Sequence, residues 1–195
     1  LKQCKPELEQ IGRDTEALES SLKAFPRMTY DEAVAIIKGE KTVNGKRSID
    51  LLEEDLKNAE NRLTEIDAEI KDREEQIAAG GMKKGQINFF TNKINQLKQE
   101  KADVEEDLRN IPQWLSSAKN FEYGNDFGGS DETVLTKLFD CPVMVYDWPH
   151  EVKAFYLKRN PEDTRFARGV DVLAPEGYGE IVGGGERATN VEQLV

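Results

Sequence analysis

Asp171 and Glu180 each sit in a short strand candidate, with the run Gly183-Gly184-Gly185 and then Arg187 close behind. Hard carboxylate oxygens on two neighbouring strands could converge on one cation. The plain alternative is a pair of exposed strand-end carboxylates. Arg187, seven residues after Glu180, offers a planar fork of donors suited to a carbonyl or carboxylate oxygen; otherwise it is a surface arginine in a glycine loop. Three glycines let backbone approach a substrate closely, but loops often contain them, so by themselves they do not make a phosphate site. His150 is the only histidine, and Cys4 and Cys141 are the only cysteines, far apart in the chain. A Ser–His pair, a multi-histidine metal site, a zinc site and a disulfide framework are therefore not expected, and carboxylates must supply any metal site. The two thiols read as reduced.

The elements that must position these residues fall into three zones. The chain has 195 residues, a net charge of −11, 33% charged and 37% hydrophobic residues, which is more charged than an average globular chain. That bias points to a long solvated helical element beside a folded core. An acidic chain is a poor general ligand for nucleic acid, so any RNA contact must be a local basic patch. No run is apolar enough to span a bilayer and no signal peptide is expected; the expected location is the cytoplasm. The chain begins without Met in a polar helical pattern, as an excised internal segment would.

In the first zone, Pro6 to about Leu22 reads as an amphipathic helix with Leu8, Ile11, Leu18 and Leu22 on one face. Phe25 to Tyr30 reads as extended, and Thr29 or Asp31 caps a short helix through Ala33, Ala35, Ile36 and Ile37. Gly39 to Gly45 reads as a loop.

The second zone, 48–115, has the strongest periodicity. Leu52, Leu56, Ala59, Leu63, Ile66, Ile70 and Ile77 recur at steps of four and three, with Arg73 interrupting. A glycine-rich turn around Gly80-Gly81-Met82-Lys83-Lys84-Gly85 follows. A second run then takes Ile87, Phe90, Ile94, Leu97, Lys101, Val104, Leu108 and Ile111. Two matched heptad runs joined by a short turn specify an antiparallel helical hairpin, each arm about 40 Å long. Pro112 is expected to end or kink the second helix.

In the third zone Ser130 is expected to cap a helix through Val134, Leu135 and Leu138. Strand candidates follow at Pro142–Tyr146, Val152–Leu157, Val170–Leu173 and Gly179–Val182, sequential short strands of the kind that form an antiparallel sheet. The expected fold is α+β: an antiparallel sheet with flanking helices, built from 1–47 and 116–195 and interrupted at 48–115 by the coiled-coil hairpin. Such an insertion needs only closely spaced ends.

Several blocks of the third zone are specific in combination: Phe121–Phe127, Pro142–Pro149, Lys153–Lys158, Gly169–Pro175 and Gly179–Arg187. In this order they resemble the asparaginyl-tRNA synthetase catalytic domain between its class II motifs 2 and 3, within the aspartate/asparagine/lysine subgroup. Phe25 to Ala33 resembles the segment after motif 2. The resemblance covers the first and third zones; the coil is not part of the family core, though some bacterial members carry such an insertion.

The resemblance implies ATP-dependent activation of asparagine to asparaginyl-adenylate and transfer to tRNA. It assigns Asp171 and Glu180 to Mg²⁺ at the ATP phosphates and Arg187 to the amino acid's side-chain oxygen. Tyr156 and Lys153 fall in the segment lining the substrate pocket, with a solvated strand lysine as the alternative for Lys153. Gly183 and Gly184 fall where backbone approaches substrate. No side chain here is expected to act as catalytic acid, base or nucleophile. Gly185 departs from the serine found in many asparagine enzymes, which leaves open an aspartate-specific synthetase or a synthetase-like asparagine-forming enzyme.

Motifs 1, 2 and 3 and the anticodon-binding barrel have no match in these residues. The chain alone is therefore expected to be inactive and to carry no metal or ATP, and the homodimer of the intact enzyme is expected to form elsewhere. Lys83 and Lys84 at the coil tip lack nearby acids and are a possible tRNA contact; a solvated arm, or a coiled-coil interaction module without catalysis, is the other reading.

Overall fold

Thr29 ends an extended stretch and starts a helix. Its hydroxyl accepts the Glu32 N–H at 3.2 Å while the Glu32 carboxylate accepts the Thr29 N–H at 3.1 Å, a reciprocal capping box. The extended part is strand β1 (Arg27–Thr29) and the helix is α3 (Tyr30–Ile37), with Tyr30, Ala33, Val34, Ile36 and Ile37 buried. In the computed structural model, residues 3–12, 15–20 and 22–190 are described. They form a mixed α and β structure with a four-stranded sheet and two long helices. No helix among the described residues is long and apolar enough to cross a membrane. The chain divides into two compact units, 1–50 with 117–195, and 51–116.

The first unit opens with two short helices, α1 (Lys5–Gln10) and α2 (Thr15–Ser20), rather than one amphipathic helix to Leu22. Gly12, at φ 72°, is left-handed, which an α-helix cannot continue through. Ile11 and Leu22 are exposed, so no apolar stripe forms there; the Leu18 side chain lies outside the described residues. Cys4 and Cys141 are both free thiols.

Helix α6 (Gly129–Thr136) starts one residue before Ser130, the expected cap. Asp131 does the capping, accepting the Gly128 N–H at 2.9 Å and the Ser117 hydroxyl at 2.6 Å. Strands β2 (Val143–Pro149), β3 (Phe166–Ala174) and β4 (Gly179–Gly185) complete the sheet in the order β1-β2-β3-β4. The β2–β3 and β3–β4 pairs are antiparallel, but β1 lies parallel to β2, because the chain from β1 to β2 runs through helices and not a hairpin. Val152–Leu157 is not a strand: His150–Val152 is a single 3-10 turn, and beyond it only isolated bridges form, Leu157 with Arg187 and Arg159 with Ala167.

Strand β2 has a bulge between Tyr146 and Trp148, with Asp147 at φ 53°. The bulge breaks the alternation, so that Trp148 turns inward with Val143 and Val145. There it meets Tyr30 (centroids 5.2 Å) and Phe127 (4.7 Å). Tyr30 is fully buried; its hydroxyl donates to Asn125 O at 2.7 Å and accepts the Gly124 N–H at 2.9 Å. This aromatic cluster is the floor on which one site residue rests.

The second unit is the middle of α4 (Ser48–Ala78) and α5 (Lys84–Asn120). Leu52, Ala59 and Ile66 recur at the heptad interval and are buried, as are Ile94, Leu97 and Ile111. Arg62–Glu100 (2.7 Å), Asp67–Lys101 (2.5 Å) and Glu74–Lys98 (3.6 Å) cross between the helices. Gly80 and Gly81, both with positive φ, make the turn. Pro112 neither ends nor replaces the helix, which runs on to Asn120. The flanking burial of Ile111 and Leu115 offsets the one lost N–H bond.

Candidate active site

In the β3–β4 ladder Asp171 faces Gly183 and Val170 faces Gly184. Directly opposed residues share a face of the sheet, so Asp171 and Gly183 lie on one side. Simple alternation along β4 would send Glu180 to the other side. The ladder instead slips by one: Val172 pairs with Val182, but Leu173 pairs with Glu180. That irregularity carries Glu180 to the side of Asp171. The consequence is visible over Gly183, where a Cβ would lie 2.0 Å from Glu180 Oε1 and 3.5 Å from Asp171 Oδ1. Only a residue without a side chain leaves both carboxylates room to converge.

Asp171 divides its two oxygens. Oδ2 accepts from Lys153 Nζ at 2.7 Å, while Oδ1 is the oxygen toward Gly183 and Glu180. Lys153 also donates to Asp126 Oδ1 at 3.0 Å, and its ammonium lies 3.7 Å from the centroid of the Trp148 ring, a cation–π contact. Its side chain is 15% exposed and that of Asp171 10%. Burial disfavours the ammonium's charge, but the hydrogen bonds and charges of Asp171 and Asp126 outweigh it and raise the Lys153 pKa. A raised lysine pKa stabilises the fold at all pH below the ordinary lysine range and is lost only as pH rises through the folded value. The pair is therefore intact throughout the neutral range.

The segment 156–158 is held by backbone hydrogen bonds on both sides. Lys158 N–H donates to Glu186 O at 2.8 Å, Ala188 N–H to Tyr156 O at 2.9 Å, and Arg168 N–H to Lys158 O at 2.8 Å. Leu157 thereby faces Arg187 across an isolated bridge. The guanidinium of Arg187 lies 4.6 Å from the Tyr156 ring centroid, which pre-orients a long side chain that solvent would otherwise leave free. Glu186 binds Lys158 and Arg168, whose cations hold its carboxyl below the usual range.

Gly185 is a steric requirement of this close approach. A Cβ there would lie 2.5 Å from the Arg168 carbonyl oxygen and 2.9 Å from Leu157 Cδ2. The first contact is backbone and cannot swing away. Gly185→Ser is expected to destabilise this chain by about 1–3 kcal/mol. Thermal unfolding of the variant checks this; an unchanged midpoint would mean that β4 shifts freely against β3.

Lys153, Tyr156, Asp171, Glu180, Gly183, Gly184 and Arg187 line one cleft of about 440 Å³. Lys83 and Lys84 are not part of it; both are exposed, at the turn of the hairpin unit. Sequence reasoning missed Asp126 as the second partner of Lys153, and it missed Glu132. Glu132 accepts the Glu180 backbone N–H, and its Oε2 lies 2.7 Å from where a Gly179 Cβ would stand. Burial first, then the charges of Glu180, Asp126 and Asp171, push its pKa up against that hydrogen bond.

Among the described residues, no three His, Cys, Asp or Glu side chains are grouped to hold a metal. Asp171 and Glu180 nonetheless fit an ion that takes two protein carboxylates and completes its shell with water and phosphate oxygens, the habit of Mg²⁺.

The family model for class II tRNA synthetases (D, K and N) matches residues 2–195. The asparagine–tRNA ligase of Sorangium cellulosum is 36% identical over 194 residues, covering 100% of this chain and 29% of its own length. That of Pyrococcus abyssi is 50% identical over 80 residues, 41% of this chain and 18% of the relative. The crystal structure of asparaginyl-tRNA synthetase from Pyrococcus horikoshii aligns at 32% identity and a TM-score of 0.39, covering 56% of this chain and 30% of that one. The chain thus spans less than a third of the length of these relatives.

Proposed function

We propose that this chain, which belongs to the class II tRNA synthetases of the D, K and N group, supplies the amino-acid and metal side of the activation site of an asparagine–tRNA ligase. The convergence of Asp171, Glu180 and Arg187 on one cleft carries the reading. ATP, asparagine and tRNA are its partners, and the full-length protein is a cytoplasmic homodimer joined through other segments. The hairpin at 48–115 is an insertion in the catalytic domain.

In activation, a carboxylate oxygen of asparagine attacks the α-phosphorus of ATP and pyrophosphate leaves; a hydroxyl of the terminal tRNA adenosine then takes the acyl group and AMP leaves. Mg²⁺, when bound, neutralises phosphate charge. Asp171 Oδ1 and the Glu180 carboxylate would hold it, and Lys153 fixes the Asp171 carboxylate so that one oxygen always faces that way. The Arg187 fork, braced on Tyr156, donates to the side-chain amide oxygen of the substrate. Gly184, with nothing within 4 Å of where its Cβ would be, leaves the strand bare for close approach, whereas the space over Gly183 holds the Glu180 carboxylate.

The same inventory explains why the 195 residues would not work alone. Lys153 is already engaged by two carboxylates and Arg187 is given to the amide oxygen, so neither cation lining the cleft is left to grip a triphosphate. Full-length protein given ATP, Mg²⁺, tRNA and asparagine is expected to form asparaginyl-tRNA. Charging with aspartate in its place would move the reading to the aspartate enzymes, and charging with neither would overturn it.

A further inference from the structure

The turn of the hairpin differs in chemistry from its arms. Residues 76–99 carry four lysines and no acid, in a chain whose net charge is −11. Lys98 is paired with Glu74 at 3.6 Å. Lys83 and Lys84 are exposed, and neither ammonium has an ion-pair partner among the described residues. The first turn of α5 is ordered by its own contacts: Gln86 Oε1 accepts the Lys83 N–H at 3.0 Å, and the Gln86 N–H donates to Lys83 O at 2.9 Å. The lysines are therefore presented from a fixed backbone.

Phe89, five residues after Lys84 in α5 and 67% exposed, is the one large apolar side chain exposed among the described residues of the hairpin unit. Its ring is buttressed by Phe90, with centroids 6.1 Å apart. One turn before it, Gly85 presents no side chain, and nothing stands within 4 Å of where its Cβ would be. Gln86, Asn88, Asn92, Asn95 and Gln96 are all exposed on this stretch, so its other polar groups are uncharged amides able both to donate and to accept.

We propose that this tip binds an unpaired segment of RNA, with Phe89 stacked on a base and Lys83 and Lys84 against phosphates. Positive charge, amides and one open aromatic face are what a splayed single strand requires. A lipid surface would call for several exposed apolar residues among the lysines, and the tip has one ring. The proposal rests on the reading that the full-length protein handles tRNA, which supplies the single-stranded loop.

The test uses full-length protein and measures tRNA affinity across a salt series. Phe89→Ala is expected to weaken tRNA binding about 5- to 100-fold, and Phe89→Tyr to restore most of it. Lys83→Gln with Lys84→Gln is expected to reduce the log K against log salt slope by about 1.4, at about 0.7 for each single-strand phosphate contact. Asparagine-dependent ATP–pyrophosphate exchange, which needs no tRNA, is expected to stay within about twofold, with helix content unchanged by circular dichroism. Unaltered affinity and slope in both variants would overturn the proposal. So would loss of binding to anionic phospholipid vesicles with tRNA binding intact, which would make the tip a membrane contact. Loss of tRNA affinity in protein that shows no asparagine exchange would uphold the tip and overturn the assignment of the cleft.

Discussion

Asp171→Asn in the full-length protein is expected to lower asparagine-dependent ATP–pyrophosphate exchange by about 10²–10³-fold. The substitution keeps shape and removes charge from the oxygen that shares Gly183's space with Glu180. It also breaks a largely buried ion pair, leaving Lys153 with Asp126 alone, at a cost of about 3 kcal/mol. The two effects separate in a double variant. Lys153→Met alone is also destabilising, because the Asp171 carboxylate then lacks its cation. Combining it with Asp171→Asn removes both charges and is expected to recover much of the stability, whereas exchange stays low. Recovery of exchange together with stability would mean that Asp171 serves only the fold.

Arg187→Lys comes second in size. Lysine keeps one charge but loses the planar fork and its stacking on Tyr156 at 4.6 Å. The expected loss is about 10²-fold in kcat/KM for asparagine. Arg187 is exposed and its bridge to Leu157 is made by backbone, so the unfolding midpoint should barely move. Tyr156→Phe keeps the ring and should cost much less. A loss of less than about threefold in Arg187→Lys would remove it from substrate recognition.

The parts of the fold legible in the sequence are those encoded by neighbours along the chain. Leu52, Ala59 and Ile66 specify the hairpin because a heptad is a local pattern, and Thr29 with Glu32 specifies a helix start three residues wide. Val152–Leu157 has strand composition, yet its partners lie at Arg168 and at Glu186 to Ala188, and composition does not encode distant pairing. Pro112 does not end α5, which runs on to Asn120, because burial of Ile111 and Leu115 offsets one missing hydrogen bond.

The site shows the same division. Resemblance singled out Asp171, Glu180 and Arg187 by identity, but nothing in the sequence tells which side of the sheet Glu180 faces. That is set by a one-residue slip at Leu173, and period-2 reasoning would have placed it wrongly. Glu132 escaped notice because its role is a contact with the Glu180 backbone from another element. Trp148 supports Lys153 only because of the bulge at Asp147.

The most direct measurement is ATP–pyrophosphate exchange by the full-length protein, with asparagine and aspartate offered separately and the 195-residue chain run alongside. The account predicts exchange driven by asparagine in the full-length protein, little with aspartate, and none by the chain alone. Exchange driven by aspartate, or activity of the isolated chain matching the full-length protein, would contradict it.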